Sequence, residues 1–235
     1  MTPARRKLVD HRLARRQPDL TVLLEQVHKS HNFSAILRTC DAIGVHRAHV
    51  VAPRGGAPLS NHTAQGSEKW VRVTQFADMA TGQARLKEDG FQLLAAHLDD
   101  AAVDYRAVDY TRPTAIVLGA ERDGVSDTAL SRCDQTIAIP MQGMVQSLNV
   151  SVACALILFE AQRQRLAAGL YESRRLRGEE YRRTRFEWLH PTVAAHCQRH
   201  GFAYPALDEQ GEMLEAPPLT PGEAAAPTGG ELIGS

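Results

Sequence analysis

Short apolar runs rich in β-branched residues recur along this chain with helix-patterned segments between them. The clearest cover residues 20–27, 47–52, 113–118 and 135–139, and weaker ones cover 70–74 and 91–98. Their length and side-chain type select strand over helix. Between them, residues 34–43 place Ile36, Leu37, Cys40 and Ile43 on one helical face before Gly44. Further helices are expected over 77–88, 126–131 and 148–165, and a short basic helix over 3–16 before Pro18. Parallel strands need a crossover connection, so this alternation predicts an α/β fold with a mostly parallel sheet flanked by helices.

At 235 residues the chain suits one domain with extensions. Its 43% hydrophobic and 23% charged content is that of a soluble globular protein. No apolar run is long enough to span a membrane and no signal-peptide core stands near the start, so a cytoplasmic protein with no membrane partner is expected. Cys40, Cys133, Cys154 and Cys197 are scattered, which fits free thiols in a reducing compartment. No Gly-x-Gly-x-x-Gly follows a strand, and the Gly119 to Gly124 spacing lacks the Lys-Ser/Thr of a phosphate loop. A dinucleotide-binding oxidoreductase is thereby disfavoured. There is no His-Glu-x-x-His and no aspartate-rich loop, so no metal is expected.

The formal net charge of zero conceals an uneven distribution. Residues 1–16 hold six Lys/Arg against one Asp, and residues 163–185 hold eight Arg against three Glu. The stretch 17–162 has twelve basic against sixteen acidic residues, and 208–235 has six acidic and no basic ones. Two basic flanks on a mildly acidic body suit binding to a nucleic-acid backbone, driven by counterion release. Expected divisions are a basic helical arm over 1–18, a central domain over 19–168, a basic helical extension over 169–207 and a disordered acidic tail over 208–235. The Pro/Gly loop over 53–58 and the small polar stretch over 59–69 are expected to be mobile.

Three blocks carry the chemistry: Asn32-Phe-Ser-Ala-Ile-Leu-Arg38-Thr, Leu118-Gly119-Ala-Glu121-Arg122-Asp-Gly124, and the run from Ile139 through Met144-Val-Gln-Ser-Leu-Asn-Val-Ser-Val-Ala153. The last joins a strand that stops at Pro140 to a long apolar helix, and such a junction leaves backbone groups free for a ligand. In order and spacing the blocks resemble the three motifs of the SpoU class of SPOUT RNA ribose 2′-O-methyltransferases. Within that class they look most like the TrmH-type branch, which methylates guanosine in the tRNA D-loop. The likeness runs from about residue 13 to about residue 170. It implies a SPOUT fold with a C-terminal deep trefoil knot, which periodicity alone would never predict. It also implies a homodimer, tRNA and not DNA as partner, and S-adenosyl-L-methionine as cofactor, held by loops containing Ala96, Leu98, Leu118, Gly119, Ile139, Met144 and Leu148. Ala96 departs from a hydroxyl residue common in relatives, a loss of about 0.5–1.5 kcal/mol of hydrogen bonding.

The same resemblance makes Arg38 the key catalytic residue, with Asn32, Glu121, Ser147 and Asn149 beside it. Family accounts offer Arg38 as the general base, but a guanidinium pKa above about 12 disfavours that step. In the alternative, Arg38 grips the phosphate next to the target ribose while the hydroxyl loses its proton in that network. Glu121 would receive charge-assisted bonds, and Ser147 and Asn149 would hold phosphate or the cofactor loop. Arg12, Arg15, Arg16, Arg163 and Arg165, with His31, are the candidate RNA contacts, and His28 and the stretch from Arg174 to Trp188 would extend that surface. The implied reaction is methylation of a D-loop guanosine, at position 18 by resemblance. A ribosomal-RNA methyltransferase and a silent RNA-binding dimer are the competing readings. Only about twenty residues precede the first strand and the C-terminal arm is basic, which favours tRNA.

Overall fold

The computed structural model describes residues 2–27, 29–51, 69–120 and 124–217. His28, Glu121, the loop over 53–58, residues 59–68 and the end of the tail therefore lie outside the described residues. The chain divides into two compact units, one from Ala14 to Leu176 and one combining the residues up to Leu13 with those from Arg177 onward. The larger unit thus ends some residues later than the sequence suggests, because Tyr171 and Arg175 are anchored inside it. Tyr171 donates to the Ile43 carbonyl at 2.7 Å, and Arg175 pairs with Asp19.

In the larger unit seven strands form one sheet: β1 (Leu20–Glu25), β2 (Arg47–Val51), β3 (Arg72–Phe76), β4 (Gln92–Ala96), β5 (Val103–Asp104), β6 (Thr114–Leu118) and β7 (Gln135–Ala138). Their order is β3-β2-β1-β6-β4-β7-β5, and every adjacent pair is parallel. The short edge strand β5 was not expected; two residues carry too little pattern to be read. The helices are α2 (Ser30–Ile43), α3 (Met79–Glu88), the four-residue α4 (Asp127–Leu130) and α5 (Val150–Ala167).

Strand alternation sorts the core into two layers. Val22, Leu24, Ile116 and Leu118 pack with Ile36, Leu37 and Cys40 of α2 and with Cys154, Ile157 and Leu158 of α5. On the other face Leu23, Ala115, Val117, Leu93 and Ala95 pack with Met79, Leu86 and Ala129. Helix α2 ends at Gly44, whose φ of 89° is left-handed, and a Cβ there would lie 2.8 Å from the Arg15 carbonyl oxygen. That helix begins four residues earlier than its apolar face indicates. The Lys29 carbonyl accepts from the N–H groups of Asn32 and Phe33, so His31 and Asn32 belong to the first turn and not to a loop.

The smaller unit contains α1 (Pro3–Leu13), α6 (Gly178–Leu189) and α7 (Pro191–His200). Arg185 of α6 pairs with Asp10 of α1 at 2.8 Å. Trp188, expected on an RNA surface, is instead buried with Phe186 and Leu189, because it falls on the apolar side of α6. Residues 208–217, expected to be disordered, fold back: His190 Nε2 lies 2.7 Å from the Gly211 carbonyl, and Leu207 bridges Met213. Composition alone hides such backbone pairing.

Candidate active site

The carboxyl ends of β4, β6 and β7 open into a cleft of about 680 Å³, within the range that holds a small-molecule cofactor. A parallel sheet places its ligand sites at this end, where loops leave the strands with unpaired backbone groups. Three loops form the walls. Ala96, His97 and Leu98 follow β4; Leu118, Gly119 and Ala120, with Gly124, follow β6; Ile139 and Met141, then Gln146 to Val150, connect β7 to α5. Ala153 and Ile157 of α5 line the floor, and Lys29 stands at the start of α2.

Of the seven expected cofactor residues, six line this cleft: Ala96, Leu98, Leu118, Gly119, Ile139 and Leu148. Met144 does not; its side chain is 100% exposed. The segment over 140–149 is irregular and turns Met144 outward while Leu148 points in. Gly119 is required for a reason the sequence conceals. A Cβ there would fall 1.9 Å from the backbone of Gly124, so the loop closes tightly on itself, with the Gly124 N–H donating to the Ala120 carbonyl at 2.9 Å.

Among the expected catalytic residues, Ser147 and Asn149 line the cleft. Asn149 caps α5, its Oδ1 accepting from the Ser151 N–H at 2.8 Å and the Ser151 hydroxyl at 2.6 Å. Its Nδ2 donates to Oδ1 of Asn32 at 3.1 Å, and Asn32 is only 1% exposed. The two asparagines therefore tie the start of α2 to the start of α5, across the first and third motifs. Arg38 is exposed, lies outside the cleft lining, and has no hydrogen-bond or ion-pair partner among the described residues. Glu121 lies outside the described residues.

Two expected RNA contacts are corrected. Arg16 is 3% exposed; it donates to the Val45 carbonyl at 2.9 Å and pairs with Asp41. Arg165 is fully buried and holds five hydrogen bonds, to Tyr110, Gln17, Arg112 and twice to Asp19. Both guanidiniums fasten the chain together and are closed to RNA. Arg12, Arg15, His31 and Arg163 are exposed, and Arg163 is paired with Glu160 at 2.8 Å.

Sequence reasoning missed His97, Lys29 and Gln146. His97 carried a usable signal, since it stands between two expected cofactor residues. The cleft lining has no thiol nucleophile: Cys154 lies on the buried side of α5, and burial pushes its thiol well up, as it pushes Cys40 to about 12. Among the described residues no cluster of His, Cys, Asp and Glu could hold a metal. What the cleft offers is apolar walls, backbone donors and acceptors, and neutral amide and hydroxyl tips. Such a lining can read a flat heterocycle and hold a group-transfer cofactor, with Lys29 as its one cation among the described lining residues.

Comparison with known proteins agrees with this geometry. The SpoU rRNA methylase family matches residues 19–159, and its C-terminal companion matches residues 163–216. The tRNA (guanosine(18)-2′-O)-methyltransferase of Thermus thermophilus is 58% identical over 188 residues, covering 80% of this chain and 97% of that protein. The crystal structure of the Aquifex aeolicus TrmH/SpoU tRNA modifying enzyme superposes with a TM-score of 0.73 at 42% identity, covering 79% of this chain and 94% of that one. The SpoU methyltransferase AviRb of Streptomyces viridochromogenes, in complex with the cofactor AdoMet, superposes with a TM-score of 0.55 at 28% identity, covering 64% and 62%. With residues of its second and third motifs lining one cleft and with these relatives, the chain belongs to the SpoU methylase family, in its TrmH-type branch.

Proposed function

We propose that this protein methylates the ribose 2′-hydroxyl of guanosine 18 in the D-loop of tRNA, using S-adenosylmethionine. The observation that carries the reading is the convergence of Leu118, Ile139 and Leu148 with the capped start of α5 on one cleft, in a chain 58% identical to a protein named for that reaction. The cofactor fits the donor set: backbone groups beside Gly119 and Ile139 read an adenine edge, and Ile137 and Ile157 supply apolar walls. When bound it supplies an electrophilic methyl group on a sulfonium.

The chain's own residues then have three tasks. Asn149 fixes the first turn of α5 through its cap bonds, and Asn32, held by Asn149, keeps α2 in register with the cleft wall. Arg38, exposed and unpaired among the described residues, takes the phosphate beside the target ribose by charge-assisted bonds. The 2′-hydroxyl loses its proton within that network, with Arg38 as its electrostatic support. Glu121 completes the site as a partner for arginine. Arg12, Arg15, His31 and Arg163 contact RNA phosphates, which sets affinity and register and leaves the choice of nucleotide to the loop's shape.

The protein works as a homodimer in the cytoplasm, with RNA and not DNA as its partner. Support for the dimer is an apolar stripe on α5, where Val152, Leu156, Phe159 and Leu166 are exposed along one helical face. The trefoil knot belongs to this reading as well: after β7, on the far side of β4, the chain returns in α5 to pack on α2. No helix among the described residues is long and apolar enough to cross a membrane.

The deciding experiment is methyl transfer to unmodified tRNA transcript, wild type beside Arg38→Ala, with the product mapped by ribose-methylation-sensitive sequencing. A mark at guanosine 18 that disappears in the variant is expected. Transfer to ribosomal RNA alone would overturn the substrate, and tight tRNA binding without transfer to any RNA would make the protein a silent binder.

A further inference from the structure

One buried acid stands behind the cleft and belongs to none of the three motifs. Glu25, the last residue of β1, is 7% exposed, and both of its carboxylate oxygens are occupied by a single residue 101 positions later. The Ser126 N–H donates to Oε2 at 2.9 Å, and the Ser126 hydroxyl donates to Oε1 at 2.7 Å. No cation pairs with Glu25 among the described residues. Burying a carboxylate without a counter-charge is unfavourable. The carboxylate is thus poorly explained by stability alone.

Its place in the sheet supplies the explanation. Leu24 pairs in register with Leu118, so Glu25 stands at the rung where the β6 chain leaves the sheet as Gly119. Gly124 packs against Gly119, and Val125 is buried before Ser126 caps α4. Ser126 is itself held by a side chain of β1. A shift of Ser126 would carry Gly124 with it, and Gly124 lies against Gly119 and beside the His97 imidazole in the cleft. We infer that Glu25 is a positioning residue, clamping the Gly124–Ser126 segment through Ser126 so that the cleft wall formed by Leu118, Gly119 and Gly124 is set before the cofactor arrives. The inference rests on the reading of the cleft as the S-adenosylmethionine site. Preorganisation of this kind acts on affinity by removing the ordering a loose loop would require on binding.

The test measures S-adenosylmethionine affinity by calorimetry, together with thermal unfolding, for wild type, Glu25→Gln, Ser126→Ala, the double variant and Ala96→Trp. Glu25→Gln leaves one acceptor oxygen for the two Ser126 donors and is expected to weaken cofactor binding about tenfold, Ser126→Ala about fivefold. The double variant should be no weaker than Glu25→Gln alone, since both changes release the same clamp. In methyl-transfer assays KM for the cofactor should rise with kcat little changed. Unaltered cofactor affinity in both single variants, or fully additive losses, would overturn the inference; so would a loss of thermal stability without any change in affinity. Should Glu25→Gln not fold, Ser126→Ala decides: it removes the hydroxyl that meets Glu25 and caps α4, and loss of the cap alone lowers thermal stability while leaving cofactor affinity unchanged. Ala96→Trp separates the two readings: if it leaves binding intact, the cleft is not the cofactor site, whereas its failure to bind beside normal Glu25 and Ser126 variants condemns the clamp alone.

Discussion

Replacing Arg165 with Met tests most directly whether this guanidinium is structural. The substitution keeps much of the stem's apolar volume and removes every donor. The Tyr110 carbonyl loses its donor among the described residues, while the Asp19 and Arg112 carbonyls keep the Thr114 N–H at 2.9 Å and the Thr114 hydroxyl at 2.8 Å. A buried acceptor left unpaired loses about 1–3 kcal/mol, and removal of one member of a buried ion pair about 3–5 kcal/mol. Asp19 keeps Arg175, which moderates the second term. A net loss of about 4–6 kcal/mol is therefore expected, a large share of the 5–15 kcal/mol typical of a folded domain. Arg163→Met is the matched control two residues away. Its side chain is exposed and holds one ion pair within the same helix, so its loss should stay below about 1 kcal/mol. Urea unfolding followed by circular dichroism reads both, and filter binding of tRNA below the transition reads the other half. Arg163→Met should weaken tRNA binding while Arg165→Met, where folded, should not. An Arg165→Met midpoint within about 1 kcal/mol of wild type, or a selective loss of tRNA affinity, would refute the reasoning.

Other substitutions test the cleft and its surroundings. Asn149→Ala removes the α5 cap and its bond to Asn32 Oδ1; a loss of about 1–2 kcal/mol and a fall in methyl transfer are expected, and normal transfer would separate the asparagine pair from the site. Gly119→Ala drives a Cβ into the Gly124 backbone, so cofactor binding measured by calorimetry should be lost; retained affinity would contradict the tight loop. His49 stacks on Phe76, and burial, with Arg47 adding to it, depresses its pKa to about 4. Because the folded value lies below the ordinary 6.5, the unfolded chain takes up the proton first, and stability falls as pH drops from about 6.5 toward 4. At about 1.36 kcal/mol per pH unit the fall reaches up to about 3 kcal/mol, and His49→Phe should flatten that part of the urea-midpoint profile.

The sheet and its site were legible to different depths. Parallel α/β order showed in the alternation of apolar runs, because a strand buried on both faces writes its whole length in Val, Ile and Leu, as in β6. Six of the seven cofactor residues lie on strand ends and loops that those runs already bounded. Long-range polar pairing was not legible. Arg165 reads as a basic residue near other basic residues, while the Asp19 that holds it lies 146 positions away. Arg16 was misread for the same reason, its partner Asp41 being on another helix. Asn32 read as a neighbour of Arg38 in its own motif, and its partner Asn149 stands in a different one. Charge and residue type are local properties of a sequence, whereas burial of a charge depends on where distant strands close.

The strand order β3-β2-β1-β6-β4-β7-β5 has a consequence for how the chain matures on the ribosome. Strand β1 acquires its inner neighbour only when Thr114–Leu118 has emerged, so a long nascent segment carries a central strand with one edge unpaired. Such an edge is a template for wrong pairing, and distant pairings of this kind form slowly. All three walls of the cleft are made after residue 95, the last by the connection into α5. The capacity to bind cofactor is thus withheld until nearly the whole larger unit has been synthesised, so a chain stopped before α5 lacks one wall of the cleft.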